Sequence, residues 1–169
     1  MDVLKNFKER AASDLKKIVF AEGYDDRIIK AAGEIDSEKI AQIVILGNQD
    51  EINSSAEEYG VDLSGVEIID PEKSEFIKEF TDEFYELRKH KNISREDAKQ
   101  AIKDPLYFGT MMIYTGKADG MVAGAANATS NVLRPAFQIV KTQEGISTVS
   151  SAIILVLKDK TFGEEGVLV

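Results

Sequence analysis

The residues best placed to do chemistry lie between Asp119 and Pro135, in the run Asp-Gly-Met-Val-Ala-Gly-Ala-Ala-Asn-Ala-Thr-Ser-Asn-Val-Leu-Arg-Pro. It reads as a short strand over Gly120 to Gly124, a loop of small residues from Ala125 to Asn131, and a helix from about Leu133 to Lys141. Gly124 and the alanines let a ligand approach the backbone closely. Thr129, Ser130 and Asn131 offer hydroxyls, an amide and N-cap donors, and the N-terminus of the following helix favours an anion such as phosphate. Arg134 adds a planar charged fork for the same kind of ligand. The loop is not a Walker A loop, because the Gly-Lys-Ser/Thr ending is missing. An ordinary capped helix after a strand accounts for these residues equally well, so the pattern alone leaves both readings open.

A second group is Tyr85-Glu86-Leu87-Arg88-Lys89-His90-Lys91. Cations at a helix C-terminus complement its dipole without any ligand; the functional alternative is a basic patch for a polyanion, built on Arg88 with His90 beside it. Glu22-Gly23 and Asp25-Asp26 follow the first predicted strand and border any cleft there, although capping explains the aspartates. Asp104-Pro105-Leu106-Tyr107-Phe108-Gly109-Thr110-Met111-Met112 reads first as core. A glycine inside a helix costs about 1 kcal/mol against alanine, so Gly109 points to close packing against another element or a cofactor. No Ser/His/Asp or Cys/His arrangement has supporting spacing.

The elements that must position these residues alternate. Predicted strands are Ile18 to Ala21, Gln42 to Leu46, Val66 to Ile69, Gly120 to Gly124, Val149 to Leu157 and Val167 to Val169. Gln42-Ile43-Val44-Ile45-Leu46 is a near-continuous apolar run, the mark of a strand covered on both faces. Predicted helices run from Asp25 or Asp26 to Ala32, Asn48 or Asp50 to Tyr59, and Ser74 to His90, where Phe76, Ile77, Phe80, Phe84 and Leu87 share one face. Ser94 and Asp97 resemble a capping box that opens a helix to Lys103. Pro105 opens the next helix, which Gly116 ends. The alternation implies an open, mostly parallel α/β sheet with helices on both faces. A domain boundary is expected at Thr142 to Gly145. The final Gly166-Val167-Leu168-Val169 reads as a strand in progress, which suggests a piece of a longer protein.

Composition narrows the function classes. The 169 residues carry 30 acidic and 21 basic side chains, a net charge of −9, with 43% apolar residues. Such a chain repels phosphate backbones, which argues against nucleic-acid binding as the main role. There is no cysteine and one histidine, so disulfides, thiolate nucleophiles and multi-histidine zinc sites are excluded. The charged start lacks a secretory signal, and the longest apolar run, Ala152 to Leu157, is too short for a membrane span. A soluble cytoplasmic protein is expected.

At these same residues the chain resembles the phosphate acetyl/butyryltransferase family. The matching segments are Ile18 to Ala32, Ile45 to Asn48, Ile68 to Pro71, Tyr85 to Lys91, Asp104 to Met112, Ala118 to Gly124, Leu133 to Thr142, Ser150-Ser151 and Phe162 to Val169. They are collinear, and three of them (Tyr85 to Lys91, Asp104 to Met112, Leu133 to Thr142) point to the acetyl branch. The resemblance implies a three-layer αβα fold of the isocitrate/isopropylmalate dehydrogenase kind. It places an N-terminal α/β domain over residues 1–144 and the beginning of a second domain over 145–169. It implies a homodimer with a cleft between domains, acetyl-CoA and phosphate as substrates, coenzyme A as the group carrier, and no metal. A carboxylate base would take the coenzyme A thiol proton and the thiolate would attack acetyl phosphate. Two family arginines that bind phosphate and coenzyme A map onto Arg88 and Arg134, and Gly124, Thr129 and Ser130 fall in the matching loop. The family's catalytic Asp, with its neighbouring Ser and Arg, lies downstream of the segment matching Phe162 to Val169, so no catalytic residue is assigned. Asn127 stands where many relatives have histidine. Two further readings compete: a non-catalytic module that binds coenzyme A or acyl phosphate or serves assembly, and a phosphate butyryltransferase. Uncovered apolar sheet surface, and with it poor stability, is expected of this chain alone.

Overall fold

The structure, a computed structural model, describes residues 3–164 and 166–169. Its centre is a four-stranded parallel sheet of β1 (Lys17–Phe20), β2 (Gln42–Leu46), β3 (Glu67–Ile69) and β4 (Gly120–Val122), in the order β3-β2-β1-β4. Parallel neighbours need crossover connections. Helices α2 (Asp26–Glu38) and α3 (Gln49–Tyr59) carry the chain from β1 to β2 to β3. Helices α4 (Ile77–Arg88), α5 (Arg95–Ile102) and α6 (Pro105–Tyr114) then bring it back to the far side of β1. The strand order therefore reverses between β1 and β4, where Phe20 is in register with Val122. The Asp119 carboxylate accepts from Lys17 N–H at 2.8 Å and fixes the start of that pairing. The helix α1 (Val3–Ser13) was not foreseen; it buries none of its residues and is tied to α2 by Lys8 and Glu38.

Alternation along the strands sends their side chains to two cores. Phe20, Ile43 and Ile45 pack with Ile28 and Ala32 of α2 and Ile52 of α3. Val19, Val44 and Leu46 pack on the other face with Phe80 and Phe84 of α4, Ile102 of α5, and Phe108, Met111 and Met112 of α6. β2 is buried on both faces, as its unbroken apolar run requires. The three-layer αβα expectation is met for the body. Among the described residues, no helix is long and apolar enough to cross a membrane.

Local sequence sets the helix starts. Asp25, Asn48 and Asp104 accept from backbone N–H groups in the first turns of α2, α3 and α6. Ser94 and Asp97 form the capping box of α5 in both directions. Boundaries differ at α2, which continues to Glu38 before closing at Lys39, and at α4, which starts at Ile77 rather than Ser74. A Cβ on Gly109 would lie 2.7 Å from Met121 Sδ and 3.1 Å from Val19 Cγ1. This glycine therefore serves the close approach of α6 to the sheet, and the cofactor alternative does not apply.

After β4 the chain forms α7 (Thr129–Pro135), which passes directly into a π-helical turn, Ala136–Val140. α7 thus begins four residues before the expected Leu133. Beyond it, β5 (Leu155–Val156) and β6 (Val167–Leu168) form a separate antiparallel ladder. The nine-residue strand expected over Val149 to Leu157 reduces to two paired residues. Ile146, Val149, Ile153 and Ile154 are exposed, and Val122 with Ile18, Ile35 and Ala41 lines an open apolar groove. Apolar surface is thus left uncovered, as expected.

Candidate functional site

In an open parallel sheet, ligands sit beyond the carboxyl ends of the strands where strand order reverses. Here that point lies between β1 and β4, and two segments meet on it: Glu22 to Asp25 after β1, and Ala123 to Ala128 after β4. Glu22 is completely buried. One carboxylate oxygen accepts from the N–H groups of Gly124 and Ala125, both at 2.8 Å. The other accepts from Ala126 N–H at 2.9 Å, Asn127 N–H at 2.8 Å and the Asn127 side-chain amide at 2.9 Å. A second clamp works on the opposite polarity. Arg27 donates to the Ala125 carbonyl at 2.6 Å while its guanidinium is held by Asp25, the cap of α2. Asn127 also donates to the Tyr24 hydroxyl at 2.9 Å.

Burial opposes ionisation of Glu22, but the hydrogen bonds from Ala126, Asn127 and Ala125 outweigh it and hold its pKa down to about 2. Arg27, by its hydrogen bonds, likewise holds Asp25 at about 2. A general base works best with a pKa near the operating pH. Glu22, with both oxygens filled, is an anion that the fold uses, not a base.

The amides of residues 124–127 are thus already occupied by the chain's own carboxylate. Gly124 has φ +106° and a Cβ there would meet nothing within 4 Å, so its glycine identity answers to the backbone conformation. Thr129 and Ser130 lie exposed in the first turn of α7, whose cap position is Ala128 and has no side-chain cap bond. Their hydroxyls make no hydrogen bond within the described residues.

Arg88 and Arg134 come from different helices. Arg88 closes α4 and is half-buried; Arg134 lies exposed near the end of α7. The positive charge of each favours the ionised form of the Tyr107 phenol on α6. Burial raises the Tyr107 pKa, Arg134 and then Arg88 pull it back, and Asp104 adds to the rise. Tyr107 donates to Gln138 of the π-helical turn at 3.2 Å and packs edge-on against Phe84. Among the described residues neither arginine forms an ion pair, whereas Lys89 in the same basic run is paired with Glu86. Guanidinium groups without carboxylate partners are free to take up an anion from outside the chain. His90 lies exposed in the turn after α4 and outside this arrangement. Among the described residues no cluster of metal-ligand type is found.

Sequence reasoning placed Glu22 at a cleft border without its role, and read Tyr107 as core. The signal for Glu22 was weak: one acidic residue ending an apolar strand. Its partners lie about a hundred positions away, and only the β1–β4 pairing brings them together.

Comparison with known proteins shows the family. Residues 2–166 match the family model described as phosphate acetyl/butaryl transferase. A phosphate acetyltransferase of Thermoanaerobacterium thermosaccharolyticum is 51% identical over 167 residues, which is 99% of this chain and 50% of that protein. One from Acetivibrio thermocellus is 47% identical over 169 residues, 100% of this chain and 50% of that protein. Among solved structures, the EutD phosphotransacetylase from Staphylococcus aureus superposes with a TM-score of 0.85 at 37% identity, covering 94% of this chain and 48% of that one. A phosphotransacetylase from Streptococcus pyogenes gives 0.87 at 34%, covering 95% and 49%. The chain spans about half the length of the relatives it matches. It belongs to the phosphate acetyl/butaryl transferase family.

Proposed function

We propose that this chain supplies the anion-binding part of a phosphate acetyltransferase, an enzyme that moves an acetyl group between coenzyme A and inorganic phosphate. The observation that carries the reading is that Arg88 and Arg134, from different helices, both favour the ionised form of the Tyr107 phenol, while neither forms an ion pair among the described residues. Guanidinium groups bind phosphate oxygens through paired charge-assisted hydrogen bonds, so phosphate groups of coenzyme A or the transferred phosphate fit here. Gly124, Thr129 and Ser130, on the loop after β4 and the first turn of α7, are included in the proposed site on the family resemblance of that loop. The acetyl preference rests on the names of the relatives and on the Tyr85 to Lys91, Asp104 to Met112 and Leu133 to Thr142 segments. In the reaction the coenzyme A sulfur bonds to the acetyl carbon, phosphate leaves, and the thiol proton goes to a base. Glu22 is unsuited to that last task. The proposal includes residues 145–169 as the opening of a second domain, a homodimer, and action in the cytoplasm without a metal.

The test is calorimetric titration of coenzyme A into the chain and its Arg88→Ala and Arg134→Ala variants. Each substitution removes hydrogen bonds to a charged group, about 1.5–3 kcal/mol, or a weakening of about 10-fold to 150-fold. Absence of coenzyme A binding, or variants that bind as tightly as the original, would contradict the proposal. Glu22's depressed pKa also fits the second reading, a binding or assembly module without chemistry. Tight coenzyme A binding by a full-length protein that makes no acetyl-CoA from acetyl phosphate would favour it.

A further inference from the structure

Glu22 is the one buried charged side chain in the described core, and nothing in the reaction uses it. Its five donors come from four consecutive residues, 124–127, so its carboxylate fills a concave run of backbone N–H groups in the way a bound anion would. The loop ends at Ala128, the cap position of α7, and α7 carries Arg134. Helix α7 has no side-chain cap of its own. The conformation of the loop that delivers it is therefore set from outside the helix, by Glu22 on the N–H side and by Arg27 on the Ala125 carbonyl. We propose that Glu22 is the positioning residue of the anion site, an internal anion whose carboxylate shapes the 124–127 loop and so aims Arg134 at the ligand that Arg88 also meets.

The inference rests on the proposed coenzyme A and phosphate site, but its first readout does not. A glutamine at position 22 is nearly the same size, yet it offers one acceptor oxygen and places an NH2 against backbone N–H donors. In 15N-resolved spectra, the amide protons of residues 124–127 are expected far downfield and protected from exchange in the original chain. In Glu22→Gln they move upfield together and exchange about 10-fold faster or more, with the rest of the spectrum retained. Unchanged amides in Glu22→Gln overturn the inference without reference to any ligand.

The second readout is coenzyme A affinity. Glu22→Gln is expected to weaken binding about 10-fold, and the added loss from Arg134→Ala in that background shrinks well below its value alone. Glu22→Ala leaves the four-amide cradle empty. Sodium formate should then restore coenzyme A affinity to within about 3-fold of the original, where sodium chloride at the same ionic strength does not. A general loss of stability would not respond to the choice of formate over chloride. Should Glu22→Ala fail to fold, Glu22→Gln carries both readouts. If the original chain binds no coenzyme A, the functional reading fails while the amide signature still decides the role of Glu22. If it binds, and Glu22→Gln and Arg134→Ala losses simply add, the positioning role is wrong.

Discussion

Gly23 sits between the anion of the site and the centre of the sheet, and replacing it by alanine tests how tightly the two are packed. A Cβ at this position would lie 2.6 Å from the Leu46 carbonyl oxygen, 2.6 Å from Ile45 Cγ2 and 2.8 Å from Ile52 Cδ1. The Ile52 methyl can swing away. The Leu46 carbonyl belongs to the doubly buried central strand and also accepts the Gly23 N–H at 3.1 Å, so it cannot retreat without loosening that bond. Overpacking of this kind costs about 1–3 kcal/mol, and the loosened hydrogen bond costs about 1 kcal/mol more. Against this, alanine reduces the freedom of the unfolded chain by about 0.4–1 kcal/mol. The balance is a loss of about 2 kcal/mol, or a fall of about 4–8 °C in melting temperature for a chain of this size. Urea unfolding should show a lower midpoint with the slope unchanged. A Gly23→Ala variant as stable as the original, or more so, would mean that the entropy gain wins and that β1 does not leave the sheet as tightly as described.

Two other predictions concern stability. Ser94→Ala removes the capping hydrogen bond to Asp97 N–H and leaves the reciprocal Asp97 carboxylate with one partner fewer, so a loss of about 1 kcal/mol is expected in urea midpoints; no change would show that the box adds nothing. Glu22 is held at about 2 against an ordinary 4.5. A depressed carboxylate stabilises the fold above its unfolded pKa and loses that contribution as pH falls through its folded value, so the window runs from about 4.5 down to about 2. At full value the displacement corresponds to about 3 kcal/mol, and solvent near the loop lowers the working figure to about 2 kcal/mol. The difference in unfolding free energy between the original chain and Glu22→Gln should shrink by that amount across this window; a difference independent of pH would contradict it.

Much of the scaffold was legible because its signals are local. The run Gln42 to Leu46 specifies a doubly covered strand through composition alone, and Ser94 with Asp97, Pro105 and Gly116 mark helix ends through backbone hydrogen bonding within a few residues. Helix α1 was legible in the spacing of Val3, Leu4, Phe7 and Ala11 but went unread; it buries none of its residues. The Val149 to Leu157 run promised a strand by propensity, yet only Leu155 and Val156 find a paired partner in β6; strand formation depends on that partner, which a run of residues does not disclose. The site divided in the same way. Arg88 and Arg134 stand out by charge and by family resemblance, but Tyr107, whose ionised form both favour, looks like core because it sits among Phe and Met. The role of Glu22 needed the reversal of strand order between β1 and β4, a long-range fact with no local trace. Gly109 was flagged correctly as a packing glycine, and only the structure told sheet from cofactor.

The central claim is that Arg88 and Arg134 form one locus for the phosphate groups of coenzyme A. The most direct measurement follows the side-chain Nε–H signals of the arginines in 15N spectra during a coenzyme A titration of the unmodified chain. The account predicts that the Arg88 and Arg134 signals shift together and saturate at one equivalent. Shifts confined to other arginines, or Arg88 and Arg134 responding at different coenzyme A concentrations, would contradict it.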